Sequence, residues 1–288
     1  MHLRTPIAFI VFNRPEVTAR VFEAIAAARP TRLFLIADGP RNAAEREKTD
    51  AVRAIVSRVD WPCEVETNFA DENMGCKRRV SSGLGWVFDR CEEAIILEDD
   101  CLPRPTFFQF CSELLDRYRD DPRVSMISGD NFQDRRRGEG SYFFSYIAHV
   151  WGWATWRRVW RQFDEKMTTW STDRDAPWLK ELLQTPDVLK VYQRAFDAVH
   201  NGQVDTWDAQ WQLAVWRSRG LVALPNKNLV ANLGFGLDAT HTRKTDSPDA
   251  NLPTADLAWP LVHQPAVERD RAADLFTWQR SFARKTIA

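Results

Sequence analysis

The stretch Ala94–Pro105, AIILEDDCLPRP, decides the fold. An apolar run, Ala94–Leu97, ends abruptly on three adjacent carboxylates, Glu98, Asp99 and Asp100, and a proline-broken segment follows. A run without alternation reads as a strand covered on both faces, the habit of parallel sheets. Charges directly after it cannot share that burial unless they are paired or face solvent or a ligand.

Upstream, the same pattern repeats. PIAFIVF (Pro6–Phe12) is a second apolar run, followed by NRPE, with a proline suited to a first helical turn. Val17, Val21, Phe22 and Ile25 then share one helical face. RLFLIAD (Arg32–Asp38) reads as a strand closed by Gly39-Pro40, and a helix is predicted from Glu45 to Val59. CEVETNF (Cys63–Phe69) is a short strand, Lys77–Arg90 a helix and Glu93–Leu97 a strand. Pro105–Tyr118 is a helix and Arg123–Gly129 a fifth strand. Alternating strands and helices predict an α/β fold, a mainly parallel, Rossmann-like sheet flanked by helices. Ligands of such sheets bind outside the carboxyl ends of the strands. Asn13-Arg14, Asp38-Gly39 and Glu98-Asp99-Asp100 each lie just past such an end, so they are expected on one rim.

After Gly129 the pattern changes. DRRRGEG (134–140) is a polar loop, and FFSYIAHVWGWATWRRVW (143–160) is dense in aromatics. Helices are predicted at about 176–184, 187–201 and 207–219, and strands at 221–224 and 228–231. An amphipathic helix follows at about 265–284, with Leu275, Phe276, Trp278 and Phe282 beside Arg280 and Arg284. It would dock on the chain's own domain or lie peripherally on a membrane surface. The expected organisation is one half over 1–130, a second half over 131–245 and an extension over 246–288.

A formal net charge of −1 gives no overall attraction to nucleic acid. No apolar run approaches the roughly 20 residues that span a bilayer. Five cysteines without a CxxC pair suggest free thiols in a reducing cytoplasm. No GxGxxG follows any strand, which argues against a dinucleotide-binding dehydrogenase.

Taken alone, the three acids suit a hard divalent cation, the acid and base of a hydrolase, or a solvated helix cap. AIILEDDCLPRPTFFQF, however, resembles the EDD segment of GT-A glycosyltransferases, above all the N-acetylglucosaminyltransferase I family and its bacterial relatives. PIAFIVFNRPEVTARVFEAI, LFLIADGP, GWATWRRVW, WDAQW and NLGFGLDATHT are similar, in order, to further elements of that family, over roughly residues 5–242.

The resemblance implies a metal-dependent, inverting transfer of a sugar from a nucleotide-diphosphate donor, a UDP-sugar by preference, to a glycan or glycolipid hydroxyl. It implies Mn²⁺ or Mg²⁺ at Asp100, with Asp99 at the ribose and Glu98 toward the sugar. Asp38 would accept the uracil N–H. Asn13, Arg14, Gly39, Lys77 and Arg78 would lie at the nucleotide. His241, in DATHT, is a second candidate for the metal or diphosphate, with Phe235 and Gly236 shaping its loop. The catalytic base falls to Asp208, with Asp205 as the alternative; Asp205 also reads as the N-cap of the 207–219 helix. Trp151, Trp153 and Trp207 either pack in the core or stack on sugar rings, Trp153 being the candidate at the donor. His149 reads as structural. The alternatives are a sugar-nucleotide nucleotidyltransferase, which normally needs a glycine-rich loop that NRPEVTAR lacks, and a nucleotide-sugar-binding protein without catalysis.

Overall fold

The structure, a computed structural model, describes residues 3–235 and 252–281. Its strands are β1 (Ile7–Val11), β2 (Arg32–Ala37), β3 (Glu64–Phe69), β4 (Glu93–Glu98), β5 (Cys101–Pro103), β6 (Val124–Ser128), β7 (Tyr142–Ser145), β8 (Trp153–Trp156), β9 (Leu221–Pro225) and β10 (Val230–Asn232). The helices are α1 (Pro15–Ala28), α2 (Ala43–Val56), α3 (Cys76–Phe88), α4 (Pro105–Arg117), the single turns α5 (Arg157–Trp160) and α6 (Trp170–Asp173), α7 (Pro177–Leu183), α8 (Pro186–His200), α9 (Asp208–Arg217) and α10 (Arg271–Ser281).

Eight strands form one sheet in the order β3-β2-β1-β4-β8-β6-β9-β7. β1 to β4 are mutually parallel. β8 runs against both β4 and β6, and β7 against β9, so β6 and β9 point the same way as β1 to β4. The mainly parallel α/β sheet expected from the sequence is therefore present, and all five residues of β1 are buried, as the unbroken apolar run requires. β3 is the edge, and its half-exposed EVETNF carries charges that blunt it. Pro15, Pro105, Pro177 and Pro186 open α1, α4, α7 and α8, where a missing N–H costs nothing. Asn42 caps α2 through the Glu45 N–H.

The aromatic segment resolves into β7, β8 and α5. Trp153 is fully buried on β8, between β4 and β6. It stacks on Trp207 at 5.5 Å and packs against Trp211 at 5.1 Å, and Trp211 in turn meets Trp160 at 5.4 Å. The expectation that Trp153 meets the donor is corrected: a central strand covered on both faces leaves its indole no route to a ligand. Trp207, 3% exposed, belongs to the same stack.

After β6 the chain adds β7 at the far edge of the sheet and comes back to pair with β6 at β8, and the two ends of this excursion meet at a narrow neck. Gly129 N–H donates to Gly152 O at 2.8 Å. A Cβ on Gly129 would stand 2.5 Å from Val230 and 2.8 Å from Phe107, and one on Gly152 2.8 Å from Val230. Gly152 also has φ +75°, which disfavours a side chain.

The C-terminal helix is shorter than the predicted 265–284, beginning at Arg271 and described to Ser281; Phe282 and Arg284 lie outside the described residues. Its inward side matches the expected apolar one only in part, since Trp278 packs on the core and Leu275 does not. Ala273, Asp274 and Thr277 are buried, whereas Leu275 is 47% exposed. Asp274 accepts from the Ser145 hydroxyl at 2.5 Å and pairs with Arg269 at 2.5 Å, and Gln133 donates to Thr277 Oγ1 at 2.7 Å. Before it, Trp259 Nε1 reaches Glu113 at 2.9 Å. The helix is thus docked on its own domain by these polar contacts, by Ala273 in the main core and by Trp278, which packs against the second apolar cluster around Tyr192, Phe196 and Trp216. No helix among the described residues is long and apolar enough to cross a membrane.

Candidate active site

A cleft of about 880 Å³ lies over the carboxyl ends of the parallel strands, a size usual for small-molecule sites. Arg14, Asp38, Glu98, Asp99, Asp100, Asp205 and Asp208 all line it. Residues from β1–α1, β2, β4 and α9 are therefore brought together as the rim argument predicted. Trp151, Phe132 and His149 form an aromatic wall, with ring centres 5.1 Å apart for Phe132–Trp151 and 4.6 Å for Phe132–His149. Phe235 continues it at 5.6 Å from Trp151. His149 stays neutral, burial pushing its pKa down to about 3.

The carboxylates of EDD have different surroundings. Asp99 is 3% exposed; its Oδ2 accepts the Phe12 N–H at 3.2 Å and its Oδ1 takes the Arg14 guanidinium. The same Arg14 nitrogen bonds Asp100 Oδ2 at 3.0 Å. One guanidinium thus bridges both acids. Burial nevertheless holds Asp99 above the usual carboxylate range, with Arg14 opposing. Glu98 has no hydrogen-bond partner among the described residues. Its pKa is pushed up to about 8, first by burial, then by Asp100 and Asp99.

Asp38, 5% exposed, is tied into its own chain. Its Oδ1 accepts the Gly39 and Met74 N–H groups, each at 2.8 Å, and its Oδ2 the Asn73 amide at 3.0 Å. One lone pair on Oδ2 stays available to a ligand donor. Asn13 turns to Glu45 at 3.0 Å. Asn13, Gly39, Lys77 and Arg78 are not among the lining residues, whereas Arg41 and Arg79 are. Arg41 is bonded to Glu45, and Arg79 to Asn68 at 2.6 and 2.9 Å.

Asp205 does not cap its own helix. It accepts from the backbone N–H of Cys76 at 3.2 Å and of Lys77 at 3.4 Å, the first turn of α3 on the other side of the cleft. α9 begins at Asp208, and its N-cap, Trp207, has no side-chain bond. Asp208 Oδ1 is held by the Thr206 hydroxyl and by the Ala209 N–H at 2.9 Å, which leaves Oδ2 without a partner among the described residues.

Among the described residues no three His, Cys, Asp or Glu side chains converge as a metal cage. Mn²⁺ and Mg²⁺ do not require one: they take one or two carboxylates and complete their shell with water and substrate phosphates. The donors here suit that habit. Asp100 Oδ2 lies 2.0 Å, and Asn232 Oδ1 3.0 Å, from where a Cβ on Gly234 would stand, so two hard oxygens flank a cradle that only glycine leaves open. His241 and Gly236 fall outside the described residues.

Two residues escaped the sequence reading. Asn232 was unmarked because it is a strand-end residue brought to Asp100 by the β5–β10 pairing. Asp130 follows β6 just as Asp38 follows β2, a signal that could have found it. It is 1% exposed, accepts the Trp151 N–H at 3.0 Å and has an unpartnered Oδ1.

No family model matches the chain, and no curated protein does. The resemblance to the N-acetylglucosaminyltransferase I family thus has no counterpart in these comparisons. Three of the solved structures that match do so at low identity. The 4-diphosphocytidyl-2C-methyl-D-erythritol synthase of Anaerococcus prevotii DSM 20548 is 9% identical, with a TM-score of 0.35, over 60% of this chain and 85% of that one. A UDP-glucose pyrophosphorylase solved with UDP-glucose is 7% identical, with a TM-score of 0.40, over 77% and 90%. A cytidylyltransferase from Leptospira borgpetersenii serovar Hardjo-bovis strain JB197 is 9% identical, with a TM-score of 0.37, over 56% and 64%. At these values the likeness is one of broad architecture and locates no site.

Proposed function

We propose that the chain is a transferase acting on a nucleotide-diphosphate sugar, and that it moves the sugar, with inversion, to a hydroxyl of a glycan or glycolipid. The supporting observation is the single cleft that the β4 carboxylates, Arg14 and Asp208 line together. The donor's nucleotide would lie along β1 and β2, with Asp38 Oδ2 toward the base and the diphosphate beside Arg14 and Asp100. A divalent ion held there by Asp100 would act as a Lewis acid on the leaving diphosphate. Asp208 stands ready as general base: two donors orient the carboxylate through Oδ1 and leave Oδ2 open. The acceptor O–H would give its proton to Oδ2 as its oxygen bonds the anomeric carbon and the carbon–phosphate oxygen bond breaks.

Incubation with a panel of nucleotide sugars and Mn²⁺, with release of nucleoside diphosphate as the readout, tests this reading. Asp208→Asn should keep donor binding and lose roughly 10²–10⁴ in turnover. A variant that turns over normally would remove Asp208 from the mechanism.

Nucleotidyl transfer is the second reading, since one of the three solved structures above is named a cytidylyltransferase and another a UDP-glucose pyrophosphorylase. Against it, the β1–α1 turn is Asn13-Arg14-Pro15, without the glycines that let a backbone wrap a triphosphate. The reactions are separable: a nucleotidyltransferase consumes a nucleoside triphosphate and a sugar phosphate and releases pyrophosphate. Pyrophosphate release without diphosphate release would select it.

A further inference from the structure

The Arg14 bridge has a consequence for how a cation can enter. We propose that Arg14 is a built-in counter-ion that passes from the Asp99–Asp100 pair to the donor's diphosphate, so that divalent cation and nucleotide bind as a coupled pair and the cation alone binds poorly. This rests on the nucleotide-sugar reading above.

Asp100, the carboxylate placed to hold a cation, has both oxygens engaged. Oδ2 takes Arg14 at 3.0 Å and sits against Gly234, and Oδ1 meets Cys101 Sγ at 3.4 Å. The guanidinium lies deep: the Arg14 side chain is 22% exposed, and those of Asp99 and Asp100 are 5% and 17%. Its backbone is anchored, since Arg14 O accepts the Thr18 N–H at 3.0 Å and the Thr18 hydroxyl at 2.7 Å. Only the side chain is free to change partners. A divalent ion arriving at Asp100 would stand within a few ångströms of this positive charge. Even at the dielectric of water, repulsion between a double and a single charge about 5 Å apart weakens binding roughly tenfold, and more where water is scarce.

A diphosphate removes the conflict. It offers the planar, multi-oxygen partner that guanidinium groups prefer. It also supplies oxygens that complete the shell of Mg²⁺ or Mn²⁺. The other cleft-lining arginines are committed elsewhere, Arg41 to Glu45 and Arg79 to Asn68. Movement of Arg14 onto the phosphates would free Asp100 just as the cation's remaining ligands arrive.

Titration calorimetry of Mn²⁺ alone, UDP alone and Mn²⁺ with saturating UDP tests the inference on the wild type, Arg14→Gln and Arg14→Lys. The wild type should bind Mn²⁺ weakly alone and much more tightly with UDP. Arg14→Gln, which removes the charge and shortens the side chain, should bind Mn²⁺ alone about tenfold more tightly and show a smaller gain from UDP. Arg14→Lys, which retains the charge, should keep Mn²⁺ alone weak. Equal or weaker binding of Mn²⁺ alone to Arg14→Gln would overturn the inference. Should that variant fail to fold, tight binding of Mn²⁺ alone to Arg14→Lys or to the wild type would overturn it. If UDP, CDP, GDP and ADP all fail to bind the wild type, the nucleotide-sugar reading falls. The comparison with Mn²⁺ alone would still decide whether Arg14 opposes the cation.

Discussion

Asp205→Ala separates a structural carboxylate from a catalytic one. Asp205 receives two backbone N–H groups from the first turn of α3, at 3.2 and 3.4 Å. A lost side-chain cap costs about 1 kcal/mol. Loss of the negative charge from a helix N-terminus adds about 0.3–1 kcal/mol. Both bonds are long, so we expect a total near 1 kcal/mol, a fall in Tm of about 2–4 °C for a chain of this size. Asp205→Asn keeps an acceptor oxygen and loses only the charge, so its Tm should fall by less. Differential scanning calorimetry gives the shifts, and hydrogen exchange should show faster opening at Cys76 and Lys77. Sugar transfer, measured below the melting range, should stay within a few-fold of wild type for both. An unchanged Tm in Asp205→Ala would refute the cap. A folded Asp205→Asn without turnover would make Asp205 the base and displace Asp208.

Other outcomes follow from particular contacts. Gly234→Ala forces a methyl to within 2.0 Å of Asp100 Oδ2, so it should weaken Mn²⁺-dependent nucleotide binding at least tenfold in calorimetry while the melt stays cooperative. Asp38→Ala strands the Gly39 and Met74 N–H groups, at a cost of about 1–3 kcal/mol by urea unfolding, and should weaken uridine nucleotides without altering the metal requirement. Burial raises the pKa of Asp274 to about 6, so the folded state holds a proton that the unfolded chain releases near pH 4. The stability this gives is full below pH 4 and is lost as pH rises through about 6, on the order of 1–3 kcal/mol. Amides of α10 should therefore exchange more slowly at pH 5 than at pH 7.5, and Asp274→Asn should flatten that dependence.

Legibility in the sequence followed burial. β1, β2 and β4 were readable because strands covered on both faces must be apolar throughout, and their carboxyl ends then located Arg14, Asp38 and Asp100. β7 and β8, four residues each, were hidden in an aromatic segment whose side chains fill both faces and leave no period of two. For the same reason Trp153 could not be told from an exposed stacking platform. Asp205 looked like the cap of the helix nearest in sequence; its true partner, Cys76, is 129 residues away. The C-terminal helix was legible at Trp278 and misled at Leu275, since Asp274 and Thr277 take the buried positions beside Ala273. The Arg14 bridge was not legible, because nothing local relates a residue after β1 to a pair after β4.

The neck at Gly129 and Gly152 has an evolutionary corollary. The segment between them, with Asp130 and β7, starts and ends at two points held 2.8 Å apart, and β7 is pinned to β9 within it. A loop already closed at its base can change length cheaply, since doubling it costs only about 0.6 kcal/mol. Relatives of this chain should therefore differ most in length in the parts of this excursion outside β7, with β6 and β8 unaltered on either side.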